Sequence, residues 1–266
     1  MSQPRDTKTQ RHKEGRIKRF LIAAFFVPLC LGVSGLTIHS QSRANPANQA
    51  VDQMIEALGG QAFLDVKDIH TTGRFFGFTR GELSAGDLFA DYIKFPDMER
   101  TEFGTLNKKS ITINRGKEEW KIVGKREPEN QGAAAGEEFL KGFKTSFDYM
   151  LRFIVKERQT TIQNVGGEII DFKRVDVLEV RDPEKNRITF YVDRDSHLPV
   201  KMQVRRTDES KIHEEQYNNW HKFQGVMTPM YVSRLTDGVK TMEIHLDTAA
   251  YNSGLSDNLF APPASK

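Results

Sequence analysis

"RITFYVDRDSHLPVKMQVRR", residues 187–206, decides the fold. Ile188, Phe190 and Val192 alternate with Arg187, Thr189, Tyr191 and Asp193. After a turn, Leu198, Val200, Met202 and Val204 alternate with Pro199, Lys201, Gln203 and Arg205. A period of two gives each strand one wet and one dry face. The stretch reads as two strands folded back on each other. Its dry face either touches a solid core or lines a space that holds something apolar.

The same grammar extends to both sides. Strands are expected near 160–165, 168–180, 186–193, 198–206, 211–223, 227–236 and 239–251. Asp237-Gly238, between "MYVSRLT" and "VKTMEIHL", is the strongest hairpin signal in the chain. A two-residue turn there would set Tyr231 opposite Ile244, Ser233 opposite Met242 and Val232 opposite Glu243. Earlier, "IHTTGRFFGF", "LFADYIKFP" and "MERTEFGT" are short, aromatic or β-branched, and bounded by Gly, Pro and Asp. "SITINRGKEEWKIV" is a hairpin around Arg115-Gly116, and "QNVGGEII" carries glycines suited to a turn. These connections are too short for crossover helices, so the strands run antiparallel.

Two helices interrupt the strands. In "NPANQAVDQMIEALGG", Asn45 suits a cap and Pro46 a first helical position. Val51, Met54, Ile55 and Leu58 make one apolar stripe, and Gly59-Gly60 stops it. Glu137 to Arg158 reads as one long helix with Phe139, Leu140, Phe143, Phe147, Met150, Leu151, Ile154 and Val155 as its stripe. The Pro-, Gly- and charge-rich segment Gly124 to Gly136 before it reads as a mobile connection. Together these elements give a mainly β (α+β) chain. Its curved antiparallel sheet would form an unclosed half-barrel, with one N-terminal helix and one central lid-like helix.

The start of the chain has a different character. Of 39 Lys/Arg and 36 Asp/Glu, the first 44 residues hold eight and two, so the remainder is net negative and carries no nucleic-acid footprint. Basic residues precede the apolar run Phe20 to Ile38, and Ser42-Arg43-Ala44 places small residues at −3 and −1 of a cleavage after Ala44. Residues 1–44 therefore read as an export signal, with cleavage expected near Ala44. The alternative is an inner-membrane anchor at 20–38, a run close to the ~20 residues needed to span a bilayer. Residues 45–266 form a single domain. Cys30, the only cysteine, lies in the run. Val27-Pro28-Leu29 before it lacks the small residue expected ahead of a lipid-modified cysteine. Cleavage would leave no thiol.

No chemistry-bearing motif stands out. There is no phosphate-binding glycine loop. "HEEQY" at 213–217 starts like a zinc-protease helix, but Tyr217 stands where a second His is needed. His70, His197, His213, His221 and His245 share no metal-ligand spacing, and no nucleophile elbow surrounds Ser196. No catalytic residue, metal or cofactor is expected. "RRTDESKIHEE" reads as the solvated side of a hairpin.

Three passages resemble the LolA/LolB-like superfamily of periplasmic lipoprotein carriers and sorting proteins. They are "YVDRDSHLPVKMQVRR", "YNNWHKFQGVMTPMYVSRLTDGVKTMEIHL" and the ending "AAYNSGLSDNLFAPP", supported by "ALGG" after the first helix. The resemblance covers most of 48–263. It implies an unclosed antiparallel barrel under helices, with an apolar cavity for acyl chains of lipid or lipoprotein and transient membrane contact in the periplasm. Phe139, Phe143, Phe147, Met150 and Ile154 would be the lid's inner contacts, and Phe190, Val200 and Met202 part of the wall. The alternative function is a regulatory or scaffolding module of the same fold that holds an envelope protein partner and carries no lipid.

Overall fold

The computed structural model describes residues 45–105 and 108–262. The expected leader lies outside them. Helix α1 (Pro46–Leu58) and the short α2 (Gln61–Leu64) come first. A meander follows: β1 (Asp68–Thr79), β2 (Glu82–Lys94), β3 (Met98–Phe103), β4 (Ser110–Arg115), β5 (Glu118–Val123) and the two-residue β6 (Glu129–Asn130). Helices α3 (Ala133–Lys144) and α4 (Phe147–Arg152) and a 3-10 turn (Ile154–Lys156) cross over. A second meander returns as β7 (Thr161–Ile170), β8 (Lys173–Arg181), β9 (Arg187–Asp193), β10 (Pro199–Arg205), β11 (His213–Phe223), β12 (Val226–Thr236) and β13 (Val239–Tyr251).

The two meanders join because β13 pairs with β1, Ile69 opposite Tyr251. The result is one antiparallel sheet ordered β6-β5-β4-β3-β2-β1-β13-β12-β11-β10-β9-β8-β7. Its ends do not pair, so it is an unclosed half-barrel with helices on its concave face. Gly73 permits one close approach in this closure. A Cβ there would meet the His245 carbonyl at 2.1 Å, beside the bulge that offsets β1 from β13.

Helix α1 forms where its sequence signals place it. The Asn45 side chain accepts the Ala47 amide at 3.0 Å, and the stripe Val51, Met54, Ile55 and Leu58 is buried. It packs over β7, β8 and β12. Leu178, Val180, Ile188, Phe190, Met202, Val204, Tyr217 and Tyr251 meet it there in one core cluster.

Four features differ from the sequence reading. The segment 137–158 is two helices and a turn. The chain breaks at Thr145-Ser146, and the Ser146 hydroxyl caps α4 by accepting the Tyr149 amide. The Gly124–Gly136 connection contains β6 and the first turn of α3. Gly166-Gly167 is no turn. It lies inside β7 just after a bulge at Val165, and the hairpin turns at Asp171-Phe172, both in left-handed conformation. Finally, Asp237-Gly238 does turn the β12–β13 hairpin, but a bulge beyond Leu235 shifts the register by one. Val232 faces Ile244, Tyr231 faces His245 and Ser233 faces Glu243.

The chain after β13 is a clasp. Buried Asp68 accepts the amides of Ser253 at 2.7 Å and Gly254 at 3.1 Å, and Asn252 accepts the Lys67 amide. These bonds aim the tail back along the convex face, where Phe260 is buried against Ile113 and Ile122.

Candidate functional site

The concave face has a covered half and an open half. Over β7–β11 it is sealed by α1 and α4. Phe147, Met150 and Ile154 belong to the same buried cluster as Phe190 and Met202. Phe147 reaches Phe63, Tyr217 and Trp220 at ring-centroid distances of 6.3, 5.2 and 6.3 Å. Arg152, absent from the sequence reading, fixes α4. Its Nε donates to the Phe63 carbonyl at 2.9 Å, its guanidinium lies 3.9 Å from the Phe63 ring centroid, and it pairs with Asp148.

Helix α3 is held differently. Phe143 and Gly136 are its buried residues, and Phe139 and Leu140 are half-buried. Phe143 packs its ring at tilted or edge-on angles against Phe139, Phe95 and Tyr149 rather than entering the main core. A Cβ on Gly136 would lie 2.0 Å from the Lys117 carbonyl, so α3 touches the β4–β5 turn only because residue 136 is glycine. Polar ties complete the attachment. Lys141 meets Asp208 at 2.5 Å, and Arg206 bridges Glu138, Asp208 and Glu209. The charged run 205–215 is thus partly a strap for α3, not merely a solvated hairpin.

Val200 is apart from the other expected wall residues. A bulge between Pro199 and Lys201 changes the alternation of β10 there. Val200 packs with Val175, Val177 and Tyr191, a separate small cluster. The expected set therefore divides into three. Phe147, Met150, Ile154, Phe190 and Met202 are core, Phe139 and Phe143 lie on or under α3, and Val200 lies with this second cluster.

The open half spans β1–β5 and β11–β13. Register puts Phe75, Phe89, Phe103, Met242 and Ile244 on one face with Asp91, Thr101 and Glu99. Phe75 and Phe103 lie 4.5 Å apart between ring centroids, and all of these aromatics except Phe89 keep part of their surface open. Along β2 and β3 the paired residues run Phe89–Phe103, Asp91–Thr101 and Ile93–Glu99. The wall is apolar at one end and acidic at the other. Arg234 of β12 belongs to the same face and binds Glu215 at 2.7 Å, while the Tyr217 hydroxyl donates to Glu215 at 2.7 Å.

These charges are crowded by protein although they retain exposed surface, as groups on a concave floor do. Burial pushes the Asp91 carboxyl up to about 6 against the Thr101 hydrogen bond of 2.8 Å and the charge of Arg234, which pull it down. Burial, followed by the charge of Asp91, pushes Glu99 up to about 8. Burial and Glu215 raise Tyr217 well above its ordinary value. Among the described residues no group of three or more His, Cys, Asp or Glu is placed to hold a metal ion.

No family model and no curated protein matches the sequence. Solved structures do match in shape. A DUF1329 family protein from Desulfovibrio piger superposes with a TM-score of 0.58 at 14% identity, over 82% of this chain and 98% of that one. A domain ascribed to outer membrane lipoprotein sorting, from Vibrio parahaemolyticus, gives 0.52 at 13% identity, over 80% and 97%. LolA superfamily protein NE2245 from Nitrosomonas europaea gives 0.50 at 15% identity, over 81% and 97%. Identities this low speak to fold and not to activity. The open sheet, the crossover helices and these superpositions agree: the chain has a LolA/LolB-like fold.

Proposed function

We propose that this protein is an exported, non-catalytic carrier that holds acyl chains of lipid or lipoprotein in the cell envelope, between the open half of the concave face and helix α3. The observation that carries the reading is the unequal attachment of the two crossover helices. Helix α4 is a core element held by Arg152, whereas α3 rests on an aromatic contact, a glycine approach and exposed ion pairs. A helix held this way can lift while the sheet stays folded. Farther along the same face, beyond the β4–β5 turn that α3 touches, lie half-buried Phe75 and Phe103. An acyl chain laid on such a wall gains about 0.8 kcal/mol per buried CH₂. Two of the three similar structures carry lipoprotein-sorting or LolA names, which agrees with this use of the fold. The order of basic residues, apolar run and small-residue site in 1–44 supports export to the periplasm.

The transient membrane contact such a carrier needs is assigned to the β7–β8 hairpin tip. Phe172 there is fully exposed and Ile169 is 75% exposed, beside Lys173 and Arg174. An exposed apolar tip suits insertion at a bilayer surface.

Titration of the exported protein with a fluorescent acyl probe bearing an uncharged head tests the carrier. Saturable binding that weakens in Phe75→Ser and Phe103→Ser supports it. No binding in the parent overturns it.

A further inference from the structure

We propose that the acidic end of the open concave wall is a headgroup site for an ammonium, so that the preferred cargo is an amphiphile with an acyl or alkyl chain and a primary amine. This rests on the carrier reading and narrows it. Asp91 on β2, Glu99 on β3 and Glu119 on β5 share one face of the sheet by register. Arg234 is the cation that acts on Asp91 and Glu99. It is already bound to Glu215. Among the described residues no Lys or Arg forms an ion pair with Asp91, Glu99 or Glu119.

A second observation points the same way. Asn114 of β4 stands between Glu99 and Glu119, its partner on either side. It is 4% exposed, and its Oδ1 has no hydrogen-bond partner among the described residues. A buried acceptor without a donor is costly, and native proteins rarely leave one. The unpartnered buried atom here, Asn114 Oδ1, is an acceptor. An ammonium brings three N–H donors and one positive charge, which answers the orphaned oxygen and the carboxylates together. The apolar end of the same wall, Phe89 paired with Phe103, takes the chain. Head and tail would thus lie along one strand pair, the tail toward Phe103 and the head toward Glu99.

The test is competition against the uncharged-head acyl probe by decylammonium, decanol and decanoate, each below its micellar concentration. Decylammonium should bind about tenfold or more tighter than decanol, as expected for a charge-assisted hydrogen bond. Decanoate should bind weakest. In Asp91→Asn/Glu99→Gln the preference for decylammonium over decanol should vanish while decanol binding stays within about twofold. Asn114→Leu should also weaken decylammonium selectively. Equal binding of decylammonium and decanol by the parent would overturn the headgroup site and leave the carrier intact. Binding of neither would overturn both. Trilysine competing as well as decylammonium would make the site one for a basic peptide, and would overturn the proposal too.

Discussion

Phe147 touches Phe63, Tyr217 and Trp220, whereas Phe139 touches Phe143 and partly faces solvent. The two carry the same side chain on what looks in sequence like one helical stripe. Their substitutions should differ sharply. Phe147→Ala should cost about 3–5 kcal/mol of stability, the usual result of emptying a packed aromatic site. Phe139→Ala should cost under about 1 kcal/mol, as at a partly exposed position, and should weaken acyl-probe binding instead. Denaturant melts and probe titration of the two variants check this. A second contrast is electrostatic. Glu99 holds its proton well above the ordinary carboxylate range, facing Asp91, Arg234 and Glu119. Its carboxyl is raised in the folded state, so stability is full below the unfolded value of about 4.5 and falls as pH rises toward about 8. Glu99→Gln removes that fall. The variant should be more stable than the parent at pH 9 by about 1 kcal/mol or more, and the gain should disappear at pH 4. Melts across that range would show it, and an equal offset at both pH values would count against a buried, proton-holding Glu99.

At the scale of elements, attachment decides what can move. Gly136→Ala should push α3 off the β4–β5 turn, because its Cβ would lie 2.0 Å from the Lys117 carbonyl. Amide exchange in 133–144 should speed up while exchange in β8–β10 stays unchanged. Acceleration of both would make α3 part of the core. The β7–β8 tip gives an independent expectation. Phe172→Ser should lower binding to anionic vesicles without changing acyl-probe affinity, since Phe172 touches none of the wall. Sedimentation with vesicles reads the first and titration the second. Both elements show how far the sequence could be read. Alternation gave the strands, and Asn45-Pro46 gave α1. The break at Ser146 was also visible, as a cap residue followed by Asp148 in the first turn, but the apolar stripe ran through it and masked it. The bulges were not visible. Nothing local to Val200 or to Leu235 announces an extra residue, yet each moves side chains to the other face.

At the scale of the whole molecule, the half-barrel arises from one long-range pairing. β13 returns to β1, and the Asp68 clasp on residues 253–254 holds the tail that follows. That pairing also brings Arg234 toward Asp91 and Glu99, residues far apart in the chain. Acids and bases alternate along most strands, so the sequence offered many carboxylate pairs and no way to choose among them. Register among β2, β3, β4 and β5 makes the choice of acids, and the β1–β13 seam adds Arg234. The resulting surface, apolar at Phe103 and acidic at Glu99, runs along β3 and is completed by the strands paired on either side of it.

Native mass spectrometry of the protein, purified gently after export from its own host, tests the carrier claim most directly. The account predicts a population heavier than the bare chain by the mass of an amphiphile, released when the sample is extracted with solvent. Fragmentation of that species should show an acyl chain. A single species at the mass of the polypeptide, from protein that also binds no acyl probe, would contradict the account.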